Sequence, residues 1–133
     1  MGRLRVDRLN GTPLPLLGPD ESVLAARCYR AGTALGRLVG LLGTPDLAID
    51  EALWLEPCAA VHAIGLRAAV GCAFLDADGI VLRVVDPLPR GRAARARGAR
   101  AVVECGAGRL ATVPVGARLH LARAPRNVSG GES

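Results

Sequence analysis

The chain of 133 residues has no lysine, only three aromatic residues and no long apolar run. Its apolar stretches fall short of the roughly 18 residues that a membrane-spanning helix needs, and no signal-peptide-like stretch opens it. We therefore expect a cytoplasmic protein without a membrane span. Half of the residues are nonetheless apolar, so aliphatic side chains and alanine must fill the core of one domain.

Arginine supplies all seventeen basic residues, and it is unevenly distributed along the chain. Residues 1–86 contain eight arginines and ten acidic residues, whereas residues 87–126 contain nine arginines and a single acid, Glu104. Such asymmetry is typical of a surface that binds polyanions. The exclusive use of arginine is also typical of a GC-rich genome, so composition alone does not establish a function.

The four cysteines, Cys28, Cys58, Cys72 and Cys105, include no Cys-x-x-Cys pair. Without a secretion signal we expect free thiols, buried as small apolar groups. Cys58 and His62 are four residues apart, which on a strand separates their Cα atoms by about 13 Å. Both cannot then reach one zinc ion at ~2.3 and ~2.1 Å, so we predict no metal site and no cofactor.

Short apolar segments separated by turn signals predict a mainly β fold, an antiparallel β-sandwich or barrel-like single domain over residues 23–123. The strongest hairpin signal is the Asp-rich turn Asp76–Gly79, which lies between two apolar runs. The predicted strands cover residues 23–30, 52–55, 59–64, 70–75, 80–85, 101–105 and 118–122.

One short helix is predicted near residues 34–42, because apolar residues recur at i, i+3, i+4 and i+7 behind a capping Thr33. Residues 1–22 are predicted to form an extended arm, since the prolines and glycines of residues 10–19 exclude regular structure. Residues 124–133 are predicted to be a disordered tail.

Glu104 lies among apolar residues, and its register leaves two interpretations open. If Val103 and Cys105 face inward, Glu104 faces solvent. In the opposite register it is an internal carboxylate that needs His62 or an arginine as partner. His62 itself is either a polar group in a mostly apolar pocket or a buried histidine bonded to backbone. Catalysis by a Glu104–His62 pair is a weaker hypothesis, because no nucleophile elbow or phosphate loop accompanies the two residues. No catalytic residue is assigned.

Residues 90–100 contain five arginines and no acid, which predicts a mobile, phosphate-contacting loop. Neutralising about five phosphates would give a slope near −4.5 in log affinity against log salt. No aromatic residue follows Phe74, so base-specific recognition is not expected. A solvated connection is the alternative that we favour for this segment. The candidate polyanion-binding residues are Arg90, Arg92, Arg95, Arg97 and Arg100.

Four stretches of the chain resemble the bacterial and archaeal family called domain of unknown function 192. They are RLVGLLG (37–43), LWLEPCAAVHAIG (53–65), FLDADGIV (74–81) and GARAVVECGAG (98–108). The resemblance implies a compact, mainly β domain with one short helix, but it implies no particular reaction. It also carries over His62, Asp76 and Glu104 as residues of a candidate ligand pocket, with Arg67 beside them.

One segment departs from that family. Where the family has Gly-Met-Arg-Phe-Pro-Ile-Asp, residues 65–71 read Gly-Leu-Arg-Ala-Ala-Val-Gly, so a site that needs this acid cannot operate here. The leading hypothesis is therefore a non-catalytic β domain that binds a small molecule or a protein partner. Polyanion or nucleic-acid binding through residues 90–100 is the alternative, and an enzyme using Glu104 and His62 is the second.

Overall fold

The computed structural model describes residues 10–31, 47–62 and 69–123, and it confirms a mainly β fold. The helix predicted near residues 34–42 and the predicted tail at 124–133 lie outside the described residues. A short 3-10 turn, Pro19–Glu21, follows the first strand. The strands are β1 (Asn10–Leu17), β2 (Val23–Ala31), β3 (Glu51–Leu55), β4 (Ala60–His62), β5 (Val70–Leu75), β6 (Val81–Leu88), β7 (Ala93–Arg95), β8 (Ala101–Gly106) and β9 (His120–Leu121).

Seven strands form one mixed sheet in the order β6-β5-β8-β3-β2-β1-β9, and β4 pairs with β7 in a second, two-stranded sheet. All pairs are antiparallel except β2 with β3. The large sheet is therefore mixed, with a single parallel pair in an otherwise antiparallel arrangement of the described strands. Parallel neighbours need a long connection, and residues 32–50, which include the predicted helix, supply it.

Both faces of the large sheet are buried. Leu53, Phe74 and Val102 belong to one apolar core, together with Val61 of β4 and Ala94 of β7. The opposite face belongs to a second core. Burial on both faces explains why β5 and β8 read as continuous apolar runs rather than as alternating ones. The second core contains Ala73, Leu75, Val103 and Cys105 of that face, together with Leu16, Leu110 and Leu119.

The two edges of the large sheet approach each other through residues 116–119. Gly116 N donates to Val81 O at 2.8 Å, and Val81 N donates to Ala117 O at 2.8 Å. A β-bridge joins Ile80 to Arg118. The sheet therefore curls around the second core and brings the segment before β9 against the start of β6.

The predicted hairpin joins β5 and β6. Asp76 Oδ1 accepts hydrogen bonds from the backbone N–H groups of Asp78 (2.8 Å) and Ile80 (3.0 Å). Gly79 has a φ of +83°, and a Cβ there would lie 2.5 Å from Leu119 O. Glycine is required for both reasons, and the turn chemistry read from the sequence is confirmed.

The prolines and glycines of residues 10–19 do not exclude regular structure, contrary to the prediction of an extended arm. Asn10–Leu17 is β1, which pairs with β2 and β9. Three register shifts interrupt its pairing with β2, and irregular or edge positions are where a strand tolerates proline. Leu16 is fully buried, and Pro15 O accepts from Ala122 N at 2.8 Å.

Candidate functional site

The arginine-rich segment is an ordered part of the fold rather than the predicted mobile loop. Ala93–Arg95 pairs with β4, and Ala96 N donates to Ala59 O at 3.1 Å. Ala94 and Ala99 are buried at 9% and 8% exposure. These alanines anchor the segment in the core. The sequence does not indicate this role, because alanine is a weak strand former.

The side chains of five arginines on this segment are exposed, and we call them the arginine face: Arg90, Arg92, Arg95, Arg97 and Arg100. The backbone beneath them is held on both sides. Arg100 N donates to Leu75 O at 2.7 Å, and Arg83 of β6 donates to Arg95 O at 2.6 Å. The sheet thus sets the backbone positions from which these exposed side chains extend.

Four arginines of this surface form no ion pair with a described carboxylate. The ion pairs among the described residues join Arg27 to Asp50 and Glu51, and His120 to Glu21. None of them involves Arg92, Arg95, Arg97 or Arg100.

Two residues of the arginine face converge on one groove. Arg95 and Arg97 line a groove of about 430 Å³ together with Ala59, Ala60 and Ala96. The other lining residues are all alanines, whose side chains are small. Planar guanidinium groups bind phosphate and carboxylate oxygens with paired hydrogen bonds, so the groove fits an anionic group.

Glu104 is internal, as the second interpretation of its register required. It lies on β8 opposite Leu53 of β3 and Cys72 of β5, and it is only 2% exposed. Burial raises the pKa of its carboxyl to about 8, so the neutral form predominates at pH 7. None of the hydrogen bonds between described side chains and their neighbours reaches it.

The candidate ligand pocket inferred from the family resemblance is only partly placed. Asp76 follows the end of β5 and is four residues beyond Cys72, the residue that pairs with Glu104. Four residues of a strand span ~13 Å, which separates Asp76 from Cys72 along the strand. One of its carboxylate oxygens is held by the turn. The side chain of His62 and the whole of Arg67 lie outside the described residues. The structure therefore does not bring Asp76 to Glu104.

Within residues 10–31, 47–62 and 69–123, no group of three or more His, Cys, Asp or Glu side chains is arranged to hold a metal ion. No disulfide joins the cysteines of this part, of which Cys28, Cys72 and Cys105 are buried and Cys58 is partly buried. No helix among the same residues has the length and apolar character needed to cross a membrane.

No family model matches the chain, and no curated protein matches it. Two crystal structures share its fold. One, described as a "putative transcription regulator" from Sinorhizobium meliloti 1021, superimposes with a TM-score of 0.71 at 16% identity over 85% of this chain and 95% of that one. The other, a protein of unknown function from Novosphingobium aromaticivorans DSM 12444, has a TM-score of 0.66 at 20% identity, over 81% and 83%. At these identities the likeness shows the fold alone.

Two buried or half-buried acids escaped the sequence analysis. Glu51 is 2% exposed; it accepts from Ala48 N at 3.0 Å and pairs with Arg27 at 3.3 Å. Asp86 accepts from the N–H groups of Gly108 and Leu110, both at 2.7 Å. Asp86 satisfies backbone donors of a loop more than twenty residues away, which no local sequence signal indicates, whereas Glu51 binds a donor three residues before it.

Proposed function

We propose that this chain is a non-catalytic binding module that holds a polyanion on its arginine face. The observation that carries the proposal is the convergence of Arg95 and Arg97 on one alanine-lined groove. Two cations in one groove repel each other unless an anion lies between them. A phosphate group there accepts hydrogen bonds from both guanidinium groups.

Order in the segment strengthens the proposal. The hydrogen bonds of β7 with β4, and of Arg83 with Arg95 O, fix the backbone before any ligand arrives. A prearranged site loses less conformational entropy on binding than a mobile loop does. The concentration of arginine in residues 87–126 adds long-range attraction for a polyanion.

The ligand class follows from what accompanies the arginines. Tyr29 and Phe74 are buried, and no aromatic residue lies in the sequence after Phe74. Bases therefore have no stacking platform beside the arginine face. Recognition is expected to involve phosphates rather than bases, and inorganic polyphosphate and nucleic acid are both candidates. The name borne by the Sinorhizobium neighbour is a reason to include duplex DNA in the test.

Titration across salt concentrations tests this function. The full chain is titrated with duplex DNA, single-stranded DNA and polyphosphate. With about five phosphates neutralised, log affinity for duplex DNA should fall against log salt with a slope near −4.5, and Arg95→Gln with Arg97→Gln should make that slope shallower by about 1.8.

The matched control is the double variant Arg30→Gln with Arg123→Gln, which removes the same charge from exposed arginines elsewhere. It should retain the wild-type slope. Binding that ignores salt, or that survives serine at all five positions of the arginine face, would exclude the proposal.

Small-ligand binding beside Glu104 is the second candidate function. It is favoured by one observation, a carboxyl that burial keeps neutral and able to donate a hydrogen bond. Thermal shift with a metabolite and metal panel tests it on the wild type, His62→Ala and Glu104→Gln. Identical response profiles would remove both residues from the hypothesis. The catalytic version, which needs the two side chains within ~3.2 Å or one water apart, stays a prediction.

Kinship with domain of unknown function 192 is likewise proposed. Its support is that three of the four similar stretches coincide with β3 to β4, the β5–β6 turn and β8. Superposition on a solved member of that family tests the kinship, because these elements must then coincide in order and register.

A further inference from the structure

A second cleft lies on the opposite edge of the fold, beside β9. Its volume is about 560 Å³, and the 3-10 turn Pro19–Glu21 and residues 114–118 line it together with His120. Pockets that hold small molecules have volumes of this size. The arginine face contributes no residue to this cleft.

The backbone of the cleft is strained at two consecutive residues. Asp20 has a φ of +57° and Glu21 a φ of +58°, a region that residues with a Cβ rarely occupy. Glu21 is 73% exposed, and its ion pair is a long 3.6 Å contact with His120 Nε2. Neither packing nor a strong ion pair explains the strain, and strained backbone of this kind is concentrated at binding sites.

The polar groups of the cleft are incompletely paired. His120 Nδ1 is buried without a hydrogen-bond partner, which is uncommon in folded proteins. Arg118 donates from Nε to Asp78 O at 3.3 Å. No ion pair joins Arg118 to Asp20 or Glu21, although all three residues line the same cleft.

We propose that this cleft binds a small zwitterion, of amino-acid to dipeptide size, that carries both an ammonium and a carboxylate group. The carboxylate lies against the guanidinium of Arg118, and the ammonium lies against the carboxylates of Asp20 and Glu21. A simple anion would be repelled by these two acids, and a simple cation by Arg118.

The single tryptophan offers a reporter for this site. Trp54 lines an adjoining groove of about 260 Å³, which shares Arg118 and His120 with the cleft. Its indole N–H donates to Glu56 Oε1 at 2.8 Å. Occupation of the cleft changes the surroundings of these shared side chains, and the fluorescence of Trp54 is expected to respond.

Three peptides with matched side chains test the proposal on the full chain. Alanylalanine carries both charges, N-acetyl-alanylalanine only the carboxylate, and alanylalanine amide only the ammonium. The common free amino acids complete the panel. Binding is followed by calorimetry and by Trp54 fluorescence. We expect at least one zwitterion to bind, and the analogue lacking either charge to bind at least about tenfold more weakly.

Two substitutions locate the binding, and a third serves as control. Arg118→Gln and Glu21→Gln should each weaken the zwitterion about tenfold or more, while Arg123→Gln, which removes an exposed arginine outside the cleft, should not. Thermal melting checks that each variant folds. If Arg118→Gln does not fold, Glu21→Gln still tests the proposal, because Glu21 is exposed. The proposal is overturned if no zwitterion binds up to about 10 mM, if singly charged analogues bind equally well, or if both folded variants bind like the wild type.

Discussion

Glu104 on β8 and Cys72 on β5 occupy paired positions of one ladder, and both side chains are buried. Burial raises the pKa of Glu104 to about 8. Burial also raises the pKa of the Cys72 thiol, and Glu104 adds to that effect once it is ionised. The centre of the large sheet therefore holds two ionisable groups in their neutral forms, and the fold is sensitive to conditions that charge either of them.

The stability of the protein should decrease from about pH 5 to about pH 9 because of Glu104. Its folded-state pKa of about 8 lies above the ordinary value of 4.5. The stabilising contribution of the neutral carboxyl is fully present below the unfolded pKa and is lost as the pH rises through 8. The full loss is on the order of 5 kcal/mol at most.

Urea unfolding of the wild type and of Glu104→Gln at several pH values measures this loss. The glutamine cannot ionise, so most of the decrease should disappear in the variant. Glu21→Gln, at an exposed position, should keep the wild-type pH dependence. An unchanged pH dependence in Glu104→Gln would show that the carboxyl does not titrate as inferred.

Thiol reactivity should separate Cys58 from the other three cysteines. Burial raises the pKa of Cys28, Cys72 and Cys105, in the last case to about 12, and a buried thiol is a poor nucleophile. Cys58 is only partly buried. Brief alkylation of the native chain, read by peptide mass spectrometry, should label Cys58 first, whereas unfolded chain should react at all four. Equal native labelling would contradict the burial of the sheet.

Gly71→Ala should destabilise the fold by about 2 kcal/mol or more. A Cβ at Gly71 would overlap the carboxylate of Asp86, which holds the N–H groups of Gly108 and Leu110. The carboxylate must move, and both donors then lose their partner. Gly106→Ala is the matched control, because its Cβ would meet only Leu47 O at 3.7 Å. Equal melting temperatures for the two variants would exclude this role of Asp86.

The parts of the fold that the sequence predicted are those determined by local chemistry. The turn Asp76–Gly79 was predictable because its aspartate and its left-handed glycine act within a few residues. The strand at Asn10–Leu17 was not, since its partners β2 and β9 are distant in sequence and proline statistics describe only local preference. Pairing with these distant strands determines that the segment is a strand.

The candidate site divides in the same way. Glu104 could not be oriented from alternation, because both faces of β8 are buried and alternation distinguishes only a buried from an exposed face. The position of residues 93–95 in the fold depends on the packing of the small Ala94 side chain against a core whose other residues come from distant strands. The arginines of the arginine face are exposed, by contrast, as is ordinary for arginine.

Replacing the strained residues of the 3-10 turn by glycine should stabilise the protein. Left-handed backbone costs a residue with a Cβ roughly 1–2 kcal/mol, and glycine removes that cost while adding some unfolded-state entropy. Asp20→Gly and Glu21→Gly should therefore each raise stability by about 0.5–1 kcal/mol. Ser22→Gly is the control, because Ser22 has an ordinary φ of −66° and glycine there should destabilise. Unfolding free energies from denaturant curves compare the three variants. If Asp20→Gly and Glu21→Gly were destabilising like Ser22→Gly, the turn would be unstrained. The backbone argument for the zwitterion cleft would then fail, whereas the argument from the charges of Arg118 and its neighbours would still be tested by binding.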